Sequence, residues 1–463
     1  MQKQAGGVPP WPPWLAGPFV APLLMLAWGL LCVRSFRMID LYSVDLFFWD
    51  QWDLFDAFFE NASAWELFRW EHGPHRQGIA FLLTGALMDA SAWSTRAEAC
   101  MIGALVALAA ALALLLRRRL FGPLTPMDVA VPLLILTPAQ YGIFLHIPNA
   151  SHGAAPLLLL VALCGVCTLS RRRVRCAAMV ALHFLLVHTG FGVIAGALTP
   201  LLLVSEGVEA WRGEGAGAAR WPAACVLLSL ASLGFFFVGY SFDPAVEDFA
   251  FPSPQASLYP KYVALMLANV LGVKGTGWLP TLTGFAALVA VLFAALVHGL
   301  GLFTRRGEAR RRSAVIALLT AFGLLFCAGT AVGRVTLGLQ AAQSSRYVPL
   351  IVPALLGLYL QLQTIRSLRA RGLASLLAAL AMAAATFPMR ADEARFAAIL
   401  ARDKQRWVDA YLETGSVRVA DARARRRIYP HPPEETRLEE KLAILRMRRL
   451  SFFANPARRG TAP

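Results

Sequence analysis

The sequence predicts an all-α integral membrane protein with about 11 transmembrane helices, a large first outer loop carrying interfacial helices, and a small helical outer region at the C-terminal end. Two observations carry this. Hydrophobic residues make up 57% of the 463-residue chain and charged residues only 16%, with a mean hydropathy of +0.55; a soluble fold of this size has no use for so many long apolar runs. The net charge of +16 is mostly arginine, and much of it sits in short runs between apolar segments, at Arg117–Arg119, Arg171–Arg175, Arg305–Arg312 and Arg366–Arg371. That is the positive-inside pattern, which orients helices in a membrane, so the basic charge reports topology rather than nucleic-acid binding.

A span needs roughly 20 apolar residues. In chain order the candidates are 17–34, 98–116, 127–145, 153–170, 176–189, 191–204, 221–240, 280–303, 313–332, 347–365 and 373–388. The stretch 176–204 is short for two spans and long for one, and Gly190, Gly192 and Gly196 mark a turn inside it. Counting it as two keeps every arginine run on one side, whereas counting it as one splits them. The amino terminus is then cytoplasmic, and the first helix is retained rather than cleaved as a signal peptide. Loops 35–97, 241–279 and 333–346 and the tail 389–463 fall outside. The domains are a polytopic membrane part, 1–388, and a helical extramembrane part, 389–463, with helical patterns at Asp392–Glu413 and Glu434–Arg449.

The first outer loop is the most informative segment. Residues 40–78 place Asp45, Asp50, Asp53, Asp56, Glu60, Glu66, Glu71, His72, His75 and Arg76 among tryptophans and phenylalanines. Acidic groups held against a bilayer are costly and usually functional. Trp52–Glu60 and Trp65–Trp70 read as short helices with apolar and acidic sides, and Gly78–Ala90 as a short apolar helix. All three are placed at the outer interface.

Within this loop W-D-Q-W-D sets Asp50 and Asp53 three residues apart, on one face of a helix. An apolar setting raises a carboxylate pKa towards the range of a general base that takes a proton from an acceptor hydroxyl. The alternative is an amphipathic helix whose acids face water. Glu71-His72-Gly73-Pro74-His75-Arg76 suits phosphate binding or support of a leaving group. Its spacing is not that of H-E-x-x-H, and Pro74 breaks a helical face, so no metal site is predicted. Arg334 and the run Gln343-Ser344-Ser345-Arg346-Tyr347 stand at outer ends of spans, where the charge rule disfavours arginine. Such arginines suggest an anionic partner such as a lipid phosphate, against the plainer reading of snorkelling to headgroups. Lys261, between Tyr259 and Tyr262, is a weaker candidate of the same kind. His146, His152 and His188 receive no role. The seven cysteines lie in or beside apolar segments and read as small hydrophobes, the Cys164/Cys167 pair included. The sequons at Asn61 and Asn149 matter only in a secretory eukaryotic host.

On these residues the chain resembles bacterial multi-spanning glycosyltransferases of the GT-C class, which include protein O-mannosyltransferases and the aminoarabinose transferase of lipid A. Their plan is a first span, a large outer loop with interfacial helices and a catalytic acid, then many further spans. More closely it resembles a group of bacterial membrane proteins with a D-x-W-D start, an N-E-H-R-like segment and a late S-R-Y. Here these are Asp50-Gln51-Trp52-Asp53, Glu71 to Arg76 with Gly73-Pro74-His75 interrupting the motif, and Ser345-Arg346-Tyr347. The Tyr411–Gly415 stretch and the Tyr429-Pro430 turn are similar too.

The resemblance implies inverting transfer of a sugar from a polyprenyl-phosphate donor to a cell-envelope glycan, lipid or protein. The reaction would take place at the outer face of the bacterial inner (cytoplasmic) membrane. Asp50 would be the general base and Asp53 would orient the acceptor or share that role. Arg346, with Arg334, His75 and Arg76, would hold the donor phosphate. Glu71, His72, Tyr347 and Lys261 would line the substrate loop. Neither cofactor nor metal is required. The main rival is a transporter or lipid-linked-glycan flippase, which calls for midplane charges or broken helices. An O-antigen polymerase or ligase would place its arginines in large late loops, and an assembly protein would use the tail as a partner-binding arm.

Overall fold

A computed structural model describes residues 11–12, 15–241, 249–387 and 389–454. Positions 242–248 of the predicted loop, 388 at the end of the last predicted span and 455–463 of the tail lie outside the described residues. Among those described, no β-strand occurs; Glu71 and Arg76 form an isolated antiparallel bridge. The helices in order are α1 (Val20–Tyr42), α2 (Gln51–Leu54), α3 (Asp56–Phe59), α4 (Ala64–Arg69), α5 (Gly78–Ser91), α6 (Thr95–Phe121), α7 (Ala130–Ile135), α8 (Gly142–Leu145), α9 (Ala154–Cys167) and α10 (Arg172–Val187). There follow α11 (Ala195–Glu214), α12 (Ala216–Phe236), α13 (Tyr259–Val270), α14 (Trp278–Thr304), α15 (Gly307–Arg334), α16 (Val348–Leu362), α17 (Leu368–Thr386), α18 (Ala391–Thr414), α19 (Val417–Ala424) and α20 (Leu438–Arg448).

Among the described residues, eight helical stretches are long and apolar enough to cross a membrane, carried by α1, α6, α11, α12, α14, α15, α16 and α17. The chain is therefore an α-helical multi-pass membrane protein. The helices α9 (14 residues) and α10 (16 residues) are shorter. The ambiguous 176–204 stretch folds as two helices, α10 and α11, joined by a 3₁₀ turn at Gly190–Ile194.

Two predicted segments differ. The candidate span 127–145 is broken: a 3₁₀ turn at Pro126–Val129, then α7, a second 3₁₀ turn at Pro138–Gln140, then α8. Pro138 has no N–H to donate and pushes Thr137 out of the helical region. The predicted loop 241–279 contains α13, whose residues Tyr262–Val270 are all buried. It packs on α14, α15 and α16. At 12 residues it is too short for a span, which is why an apolar-run count passes over it.

The arginine runs meet at one end of the bundle. Arg117 pairs with Asp128 at 2.7 Å, both side chains fully buried. Arg175 and Arg310 both reach Glu206, at 2.6 and 2.8 Å. Arg312 donates to the Leu120 carbonyl at 2.8 Å. Buried guanidinium groups with carboxylate and carbonyl partners make this end a set of cross-links between helix ends as well as a basic surface.

The opposite end carries a second hydrophobic core, distinct from that of the bundle. Phe47, Trp52, Phe55, Phe58 and Phe59 of the first loop pack there against Leu400, Trp407, Tyr411, Leu438, Leu442 and Phe452 of the tail. Trp52 and Phe55 are fully buried. The aromatic side of α2 and α3, expected to lie on the bilayer interface, is covered by the C-terminal helices. An amphipathic stripe shows which side is buried and not what buries it. The helix α4 keeps an exposed Trp65 and is closed at its start by a Ser63–Glu66 capping box.

Candidate functional site

The site begins with a tight turn. Gln77 N–H donates to the Trp70 carbonyl (2.9 Å) and His72 N–H to the His75 carbonyl (3.3 Å), which closes residues 70–77 into a small hairpin. Gly73 sits in it at φ 63°, a left-handed conformation glycine adopts at little cost. Arg76 straps this hairpin to the end of α12. Its guanidinium donates to the carbonyls of Phe236 (2.9 Å), Arg69 (2.7 Å) and Val238 (2.9 Å). Glu71 accepts from the Ser241 N–H at 3.2 Å. On the other side Gly190 N–H donates to the Arg76 carbonyl (2.7 Å), and the buried Gln77 amide oxygen accepts from Asn149 and Ser151. Gly190 is obligatory here. It has φ +55°, and a Cβ would lie 1.7 Å from the Ser151 carbonyl oxygen.

Beside the hairpin lies a cavity of ≈ 420 Å³. Asp50, His72, His75, His152, Arg334, Arg346 and Tyr347 line it, with Phe191, Ile194, Leu325 and Phe326 as an apolar wall. Asp50 stands at the start of α2, Arg334 in the last turn of α15 and Arg346 in the 3₁₀ turn Ser345–Tyr347 that precedes α16. Six residues chosen from three separated sequence segments thus converge on one space.

Its electrostatics are lopsided. Asp50 is the one carboxylate in the lining. Arg334 and Arg346 are half-buried, and among the described residues neither has a carboxylate at ion-pair distance. Arg346 stacks over the Tyr347 ring at 5.4 Å. The imidazoles add no fixed charge. Burial, with a contribution from His72, pushes His75 down to about 3. His152 is lowered well below the usual value by burial and then by His75, His72 and the two arginines. His72 is lowered too, burial outweighing Asp50, Asp53 and Asp56. Neutral imidazole offers one donor and one acceptor. Both ring nitrogens of His75, a residue only 3% exposed, have no hydrogen-bond partner in the protein. Two unpaired guanidinium groups and an unpartnered buried imidazole suit an oxyanion, and a carboxylate on the same wall suits proton removal.

Four predicted residues lie outside the cavity lining. Arg76 spends its donors on carbonyls, as described, and the Glu71 carboxylate accepts from Ser241. Lys261 is on the first turn of α13. Asp53 turns towards the tail rather than sharing a face with Asp50. Lys441 Nζ lies 3.9 Å from Asp53, 2.8 Å from Asp56 and 2.7 Å from the Trp52 carbonyl it donates to. Burial raises the Asp53 pKa; Lys441 opposes this and Asp56 adds to it. Asp50 is only the cap residue of the four-residue α2, so the three-residue spacing joins Asp53 to Asp56 instead.

Sequence reasoning passed over His152, Lys441 and Asn149. The N-A-S-H run between two apolar segments was the available signal for Asn149 and His152. No pattern marks Lys441, one cation in a basic tail, as 1% exposed. Among the described residues no group of three His, Cys, Asp or Glu side chains has metal-holding geometry.

Fold and site together define a multi-pass helical membrane protein with an anion-suited cavity at the end opposite its arginine runs. A scan of protein-family models finds no match for the chain, and a search of curated proteins finds none either.

Proposed function

We propose that the protein is a GT-C-like glycosyltransferase that moves a sugar from a polyprenyl-phosphate donor to a cell-envelope acceptor with inversion at the anomeric carbon. The observation that carries this reading is the pairing, in one cavity, of a single carboxylate with two guanidinium groups that have no carboxylate of their own. Asp50 takes the proton from the acceptor hydroxyl as its oxygen attacks the anomeric carbon. The bond from that carbon to the phosphate oxygen breaks on the opposite face, and polyprenyl phosphate leaves with the bonding pair. Arg334 and Arg346 stabilise the negative charge that develops on it. His75 donates a hydrogen bond from a neutral ring, and Tyr347 holds the Arg346 plane. Asp53 and Arg76 serve the geometry, through Lys441 and through the α12 carbonyls. The acceptor side is the outer face of the bacterial inner membrane, on the argument that the arginine runs lie cytoplasmic.

A transporter or flippase is the second reading, and the broken segment 126–145 favours it, since interrupted helices line many transport paths. The experiment that separates the two is mass spectrometry of envelope glycans and lipids in a deletion strain complemented with wild type or Asp50→Asn at equal membrane abundance. Loss of one sugar on deletion, restored by wild type alone, supports transfer and the role of Asp50. Full restoration by Asp50→Asn removes the base assignment. An unchanged glycan profile on deletion favours transport.

A further inference from the structure

A second cavity, of ≈ 530 Å³, lies at the arginine-rich end, between the C-terminal ends of α11 and α14 and the N-terminal ends of α10 and α15. Its charge is unbalanced. Glu206 holds Arg175 at 2.6 Å and Arg310 at 2.8 Å, Glu209 holds Arg310 at 2.9 Å, and Glu214 holds Arg172 at 2.5 Å. These three carboxylates are thereby committed to three guanidinium groups. Arg212 and Arg305, also in the lining, meet neutral acceptors: the Phe303 carbonyl at 2.6 Å for one, Ser313 Oγ at 3.0 Å for the other. Arg306 has no carboxylate partner among the described residues. The wall is built rather than loose, because Arg310 is 2% exposed and donates to the Leu302 carbonyl and Ser205 as well.

The surroundings say which anion fits. Trp211 and Phe303 stand exposed beside the cavity, and exposed Leu201 and Val204 on α11 and Leu296 and Leu300 on α14 continue the apolar surface away from it. Exposed apolar side chains on spanning helices face acyl chains, and tryptophan favours the headgroup level. A free phosphate would use only the arginines; a phospholipid would use both features. We infer that this cavity binds the phosphate headgroup of an anionic phospholipid whose acyl chains lie along α11 and α14. The site is separate from the Asp50 cavity, and its test does not depend on the proposed transfer reaction.

The test is native mass spectrometry of the full chain in nanodiscs, with phosphatidylglycerol titrated against phosphatidylcholine. Wild type is expected to retain phosphatidylglycerol preferentially, and Arg212→Gln/Arg306→Gln to bind it roughly thirtyfold more weakly. Arg366→Gln/Arg369→Gln removes equal charge from exposed positions at the same end and should bind as wild type. Arg306→Gln alone, at an exposed position, gives a smaller loss of the same sign and serves if the double variant is poorly produced. Equal losses in the two double variants, or no preference for phosphatidylglycerol in wild type, would overturn the site. Displacement of the lipid by inorganic phosphate at matched concentration would reassign it to a free anion.

Discussion

At the scale of single residues, the cavity makes sharp demands. Asp50→Asn should lower turnover by about 10²–10⁴-fold, the usual share of a general base, with donor binding kept. Arg346→Gln should instead weaken donor binding. A membrane assay with a defined lipid-linked donor reads both, and equal effects of the two substitutions on both parameters would contradict the division of roles. His75 gives a pH test. Its folded pKa of about 3 lies below the ordinary 6.5, so between those values the unfolded chain binds a proton that the folded chain does not. Stability tied to His75 is therefore full above about 6.5 and falls as pH falls towards 3. His75→Gln should flatten that slope in melting temperature measured against pH, and leave more activity than His75→Ala. The polar residues that meet in the cavity, Asp50, Arg334, Arg346 and His75, stand out in the sequence because charge in a loop or span end of a membrane protein is conspicuous; that they share one cavity is visible only in the fold. The carbonyl partners of Arg76 and the Lys441 neighbour of Asp53 were not legible, because carbonyls and a lysine far along the chain leave no local trace.

At the scale of elements, the 70–77 hairpin and the C-terminal helices hold the site in shape. Gly190→Ala forces a Cβ into the Ser151 carbonyl and should cost several kcal/mol; the expected outcome is loss of the monodisperse protein in detergent chromatography. Lys441→Met leaves Asp56 and the Trp52 carbonyl without their buried donor. A loss of about 1–3 kcal/mol is expected, seen as a lower melting temperature, together with reduced activity if Asp50 depends on this support. Most long helices were legible from apolar runs and their arginine flanks. The breaks at Pro138 and the buried α13 were not, because length alone does not separate a span from a helix wedged between spans.

At the scale of the whole molecule, the two ends differ in kind. Cross-linked arginines close one, and the other holds the cavity and an aromatic loop covered by the C-terminal helices. Cysteines placed singly at Gly213 and Arg418, in a background lacking the seven native ones, should be labelled by an impermeant thiol reagent from opposite sides of the membrane. Labelling of both from one side would contradict the arrangement. This polarity was legible, since charge asymmetry between loops survives in any sequence listing of the spans. What covers the aromatic loop was not, since the tail's helical pattern carries no address.

That cap has a consequence in time. The Trp52 carbonyl waits for a lysine 389 residues further along, and Trp49 N–H for the Ile428 carbonyl. During synthesis the loop bearing Asp50 emerges early and stays bare while every span is threaded into the bilayer. Its phenylalanines and tryptophans must be sheltered by lipid or a chaperone until α18 to α20 arrive. The chain therefore carries a built-in delay: the loop that bears Asp50 gains its last backbone partners only after translation has passed beyond the last span.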